Sequence, residues 1–161
     1  MRAAENPADF RREVQEIADR YPDSLSAVMP ALRLAQERHG YLTREAFEDV
    51  AFALDLTPAY CKAIASFYDM YELEPVGRHT VGVCTNISCA LVGAQQVLEA
   101  FQDELGIHAG ETTEDGAVTL RTVECAGGCG WGTVVAVDGR YREPIRAEDV
   151  PAIVRELRDA G

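Results

Sequence analysis

Four cysteines fall into two close pairs. Cys84 and Cys89 lie in CTNISC with four residues between them, and Cys125 and Cys129 lie in CAGGC with three between them. Thiolates are soft ligands. Four of them can hold a 2Fe-2S cluster, two per iron, or one tetrahedral zinc ion. Structural zinc knuckles usually pinch the metal with two residues between paired cysteines, and neither pair here has that spacing. Spacings of four occur among the ligands of plant-type ferredoxins. Spacing therefore favours the cluster and leaves zinc open. Free cysteines are often buried, but two close pairs argue against scattered core thiols. No C-x-x-C is present, which speaks against a thioredoxin-type dithiol. The fifth cysteine, Cys61, lies on an apolar helical face and reads as a core residue.

The neighbours of the pairs suit a cluster. Gly127, Gly128, Gly130 and Gly132 flank Cys129. Lacking Cβ atoms, they allow backbone N–H groups to approach sulfur and donate to it. The run matches neither a dinucleotide fingerprint nor a phosphate loop, and no Lys follows it. Cys89 falls at the start of an expected helix, where free N–H groups favour anions. Glu124 adjoins Cys125; an ionised carboxylate there opposes the arrival of an electron, and a solvated side chain is the plainer reading. Trp131, the only Trp, shields the centre, faces a partner or simply packs. His39, His79 and His108 pair with no evident nucleophile and read as structural. Hydrolase elbows, metalloprotease helices and EF-hands are absent.

These ligands need elements to position them. The chain has 161 residues, 47% hydrophobic and 26% charged, which is ordinary for a globular protein with a real core. Fifteen Lys and Arg against 27 Asp and Glu give a net charge of -12. That balance disfavours nucleic acid and anionic membrane surfaces. No apolar run approaches the roughly 20 residues of a membrane span. Met1 to Asp9 has no apolar signal core, so a cytoplasmic location with reduced thiols is expected.

The first half reads as helices, over about residues 6–68. Asn6 caps the first, which starts at Pro7 and carries Phe10, Val14, Ile17 and Tyr21 on one stripe. The second starts at Asp23 or Ser24, carries Leu25, Val28, Leu32 and Ala35, is kinked by Pro30 and stops at Gly40. Thr43 caps a third with Phe47, Val50, Ala51 and Leu54 on one side. Thr57-Pro58 opens a fourth through Cys61 and Ile64. The pattern changes near Glu74-Pro75-Val76-Gly77. Strands are expected over Arg78 to Val83, Ala117 to Val123 and Thr133 to Val137, with Asp138-Gly139 turning into Arg140 to Glu143. Ser88 caps a helix through Leu91, Val92, Val97, Leu98, Phe101 and Leu105. A last helix covers about Ala147 to Asp159. The first two of these strands end directly before a cysteine pair, so adjacent strand ends would place four thiolates around one point.

With these motifs the chain resembles the family of small, thioredoxin-like 2Fe-2S subunits of bacterial NADH:quinone oxidoreductase, respiratory complex I. The resemblance rests on YPDSLSAVMPALRLAQERHGYL (Tyr21 to Leu42), ASFYDMYELEPVG (Ala65 to Gly77), VCTNISCALVGA (Val83 to Ala94) and VECAGGCG (Val123 to Gly130). It implies an α+β chain, with an N-terminal helical bundle over residues 1–75 and a thioredoxin-like 2Fe-2S ferredoxin domain over 76–161. It further implies that Cys84, Cys89, Cys125 and Cys129 ligate one 2Fe-2S cluster. The expected partners are an FMN- and NADH-binding flavoprotein subunit and a larger iron-sulfur subunit. Through that complex the chain would sit peripherally on the cytoplasmic side of the inner membrane, with no insertion of its own. On this reading the chain belongs to an oxidoreductase but is inactive alone. The equivalent diaphorase subunit of an NAD-dependent hydrogenase or formate dehydrogenase fits the same residues. A zinc-stabilised, non-redox interaction module is the rival of a different class. One departure stands out: Gly132 and Thr133 occupy the positions where family members commonly have Ala-Pro. Phe67, Tyr68, Met70 and Tyr71 offer a candidate face for the flavoprotein, though an internal core is the simpler expectation for most of them.

Overall fold

A computed structural model describes residues 7–159. The chain divides into two compact units, Met1–Pro75 and Val76–Gly161. The expected cap at Asn6 lies outside the described residues.

The first unit is helical. It contains α1 (Pro7–Ala18), a 3-10 turn at Ser24–Ala27, α2 (Val28–His39), α3 (Arg44–Leu54) and α4 (Pro58–Phe67). Local chemistry sets the boundaries. Thr43 Oγ1 accepts from Ala46 N–H at 3.1 Å and Thr57 Oγ1 from Tyr60 N–H at 3.2 Å, the N-cap arrangement. Gly40, at φ 83°, ends α2 in the left-handed region that a residue without Cβ enters freely. Helix α3 packs against α1, α2 and α4. Phe10, Val14, Leu32, Phe47, Val50 and Cys61 are buried in the shared core. Gln36 fastens the segment after α4: its Nε2 donates to Met70 O at 3.1 Å and its Oε1 accepts from Glu72 N–H at 2.7 Å.

Several expectations change here. Pro30 does not kink a helix. The first turn of the segment is 3-10, α2 begins only at Val28, and Pro30 falls in its first turn, where no intrahelical acceptor waits for an N–H. Leu25 and Tyr21, expected on apolar stripes, are exposed because they lie in the turns beside the helices. The aromatic segment divides. Phe67, Tyr68 and Met70 are exposed, whereas Tyr71 is buried with its hydroxyl donating to Met29 O at 2.8 Å.

The second unit is a four-stranded mixed sheet with helices. It contains β1 (His79–Cys84), α5 (Ile87–Leu91), α6 (Ala94–Leu105), β2 (Val118–Val123), a 3-10 turn at Cys129–Trp131, β3 (Val135–Val137), β4 (Arg140–Arg142), a 3-10 turn at Ala147–Asp149 and α7 (Val150–Asp159). The strand order is β2-β1-β3-β4. β1 and β2 are parallel, joined through α5 and α6, while β1 with β3 and β3 with β4 are antiparallel. Asp138 (φ 50°) and Gly139 (φ 73°) make the two-residue hairpin turn that the sequence announces. The Asp138 carboxylate holds that turn to β1, meeting Thr80 N–H and His79 Nδ1 at 2.8 Å each. Val81, Val83, Phe101, Leu120, Val135 and Val154 are buried in one core.

The helix expected from Ser88 onward is two helices. Asn86, not Ser88, precedes the short α5, and Gly93 at φ 108° breaks the chain before α6 begins. Leu91 and Val92, expected along that one helix, are exposed at the break. Among the described residues, no single helix is long and apolar enough to cross a membrane.

Candidate metal centre

Parallel pairing of β1 and β2 brings the cysteine loops to one end of the sheet. Cys84 is in register with Val123, and Cys125 follows two residues later. Thr85 N–H donates to Val123 O at 3.0 Å and Cys84 N–H to Val134 O at 3.0 Å, which ties the first loop to both neighbouring strand ends. Cys84 closes β1, Cys89 lies within α5, and Cys129 opens the 3-10 turn that packs against α5.

The two pairs differ in environment. Cys84 and Cys89 are each 1% exposed and share a small apolar cluster with Ala94, Val134 and Ala126. Cys125 and Cys129 are exposed. Backbone donors surround the sulfurs. Ala126 and Asn86 N–H groups donate to Cys84, Val134 N–H to Cys89, and Gly127 N–H to Cys125 Sγ at 3.4 Å. Burial pushes the Cys84 thiol up, but these donors outweigh it and hold Cys84 below the ordinary cysteine range. Burial raises Cys89, and the charges of Cys84 and Cys129 raise it further. Ionisation is thus directed to Cys84 first.

The glycine run does what its composition suggests, and more. A Cβ on Gly132 would lie 2.8 Å from Val92 Cγ2 and 3.4 Å from Cys89 Sγ, and one on Gly128 would lie 2.8 Å from Val134 Cγ2. Gly132 thus packs the second loop against the first. Among the described residues, no three Cys, His, Asp or Glu side chains converge tightly enough for a single ion. A tetrahedral zinc with Zn–S of about 2.3 Å would need its sulfurs within about 3.8 Å of one another. The thiols stand instead as two pairs on adjoining loops, one buried and one exposed. That donor set fits a centre of two irons with two thiolates on each.

The remaining residues separate cleanly. Cys61 is buried in the helical unit, where burial raises its pKa, as a core thiol requires. His79 is engaged by Asp138, and His39 and His108 are exposed. Glu124 is exposed beside Cys125. Trp131 is 66% exposed, so it shields little. Exposed Ile87, Leu91 and Val92 join it around the cysteine loops. The sequence reading placed Leu91 and Val92 on one helix with Val97 and Phe101; Gly93 directly after them was the available signal of a break.

A family model for thioredoxin-like 2Fe-2S ferredoxins matches residues 14–158. The "E 2" subunit of NADH-quinone oxidoreductase from Rhizobium meliloti (strain 1021) is 41% identical over 151 residues, covering 94% of this chain and 90% of that protein. The E subunit of NADH-quinone oxidoreductase from Mycobacterium tuberculosis (strain ATCC 25618 / H37Rv) is 40% identical over 146 residues, and the match covers 91% of this chain but 58% of that longer protein. Among solved structures, an NAD+-reducing NiFe-hydrogenase in the air-oxidized state superposes with a TM-score of 0.72 at 19% identity. That match covers 80% of this chain and 23% of the hydrogenase chain, and it establishes a shared fold.

Proposed function

The chain belongs to the thioredoxin-like 2Fe-2S ferredoxin family, and on that footing we propose that it is the small electron-transfer subunit of an NADH:quinone oxidoreductase. Cys84, Cys89, Cys125 and Cys129 hold one 2Fe-2S cluster. The observation that carries this reading is the meeting of the two cysteine loops at the paired ends of β1 and β2, with backbone N–H groups aimed at the sulfurs. The relatives, 41% and 40% identical over most of this chain, support the choice of complex.

When bound, the cluster supplies one-electron exchange. The chain's own residues do the rest. Cys84 and Cys89 anchor one side of the site in an apolar pocket that excludes water. N–H groups of Asn86, Ala126, Gly127 and Val134 stabilise negative charge on sulfur. Cys125 and Cys129 keep the other side at the surface. Ile87, Leu91, Val92 and Trp131 give that surface an exposed apolar rim, which suits docking of a flavoprotein subunit carrying FMN and NADH. A larger iron-sulfur subunit completes the assembly, which lies against the cytoplasmic side of the inner membrane through its other subunits.

Anaerobic purification with iron and sulfide analysis tests the proposal. Two irons and two sulfides per chain, with a spin-half EPR signal after dithionite, are expected, together with co-purification of a flavoprotein. One zinc with no sulfide and no signal would overturn it.

A further inference from the structure

Thr133 lies between two residues that touch Cys89. A Cβ on Gly132 would stand 3.4 Å from Cys89 Sγ, and Val134 packs with Cys89 in one buried cluster. Thr133 is 1% exposed. Its carbonyl accepts from Ile145 N–H at 2.9 Å. Its Oγ1 is buried and has no hydrogen-bond partner among the described residues. A buried hydroxyl left alone carries its full desolvation penalty, so an orphaned one beside a metal centre asks for a ligand. The chemistry nearby is anionic sulfur, which accepts and cannot donate.

We propose that Thr133 is a positioning donor to the metal centre, its O–H hydrogen-bonding an inorganic sulfide of the bound 2Fe-2S cluster beside Cys89. The inference rests on the four-cysteine reading above. Reduction adds negative charge to the centre, so a donor to sulfur favours the reduced state and raises the potential. Thr133 therefore sets the potential, while the cysteines hold the metal.

The test compares Thr133→Val, Thr133→Ala and Thr133→Ser with the wild-type full chain, each assayed for iron and sulfide and then redox-titrated by EPR. Thr133→Val and Thr133→Ala should keep the cluster and disfavour reduction by about tenfold, which is about 59 mV more negative for a one-electron couple. Thr133→Ser should keep the wild-type potential. In the cluster-free protein, Thr133→Val should melt no lower than wild type, because there the hydroxyl has no partner to lose. Unmoved potential in loaded Thr133→Val, or an equal shift in Thr133→Ser, overturns the role of Thr133 alone. If neither Thr133→Val nor Thr133→Ala loads, a loaded Thr133→Ser at wild-type potential supports the proposal, and an unloaded one overturns it. Wild-type protein without iron and sulfide overturns the four-cysteine reading and this inference with it.

Discussion

The two cysteine pairs are built by opposite means. Cys84 and Cys89 are 1% exposed, and the end of a strand fixes the backbone of the first and a helix that of the second. Cys125 and Cys129 are exposed, the first on a loop of five residues and the second in a 3-10 turn. The buried pair draws its backbone N–H groups from both loops and from Val134 before β3, and the exposed pair has Gly127 N–H of its own loop on Cys125. The contrast teaches how one site can be rigid and accessible together. The buried side fixes geometry and shuts out water, and the exposed side keeps the centre within reach of a partner.

The largest expected effect would break that contrast if it failed to appear. Cys84→Ala or Cys89→Ala should abolish iron and sulfide loading, because no water can reach the buried position to complete an iron. Cys125→Ala or Cys129→Ala should leave a measurable fraction of loaded protein, since solvent can take up the missing ligand at the surface. Iron per chain after anaerobic reconstitution reads the difference. Equal and complete loss in all four variants would show that burial does not distinguish the pairs.

The glycines sharpen the same contrast at smaller cost. Gly132→Ala forces a Cβ to within 2.8 Å of Val92 Cγ2 on the side of the buried pair. Overpacking of that kind costs about 1–3 kcal/mol. Gly127→Ala meets no atom within 4 Å, but its φ of 80° is unfavourable to a side chain, a cost of about 1–2 kcal/mol. At Gly130 an added Cβ meets nothing within 4 Å and φ is ordinary, so Gly130→Ala should unfold like the wild type. Urea melts of the cluster-free chain rank the three. A Gly130→Ala as damaging as Gly132→Ala would contradict the picture of an open outer loop.

Much of this was legible in the sequence, because the signals were local. Thr43 and Thr57 cap helices through hydrogen bonds three residues long, and Asp138-Gly139 needs only its own dihedral angles to turn the chain. The two cysteine spacings announced a metal centre. What the sequence withheld depends on distance. Val92 has the apolar character of a core residue, but the break at Gly93 turns it outward, against Gly132. Separation of the thiols into a buried and an exposed pair follows from the sheet order, which no spacing contains. The unpartnered state of Thr133 Oγ1 likewise required the whole neighbourhood.

Cys61 provides the smallest and cleanest variation, a buried thiol without a metal role. It is fully buried in the helical core and burial raises its pKa. An acid whose folded pKa lies above the unfolded value of about 8.5 lends stability that is complete below that pH. This stability is lost as pH rises toward the folded value, with a slope of at most about 1.4 kcal/mol per pH unit. The difference in urea midpoint between wild type and Cys61→Ala should therefore narrow as pH climbs from about 8.5. Cys84, equally hidden from solvent, is shifted the other way because N–H donors reach its sulfur. Its contribution in the cluster-free chain is present above the unfolded value and lost as pH falls through the folded one. Opposite pH slopes for Cys61→Ala and Cys84→Ala would mean that the donors, not burial, set the charge of a thiol here; parallel slopes would mean that burial alone governs both.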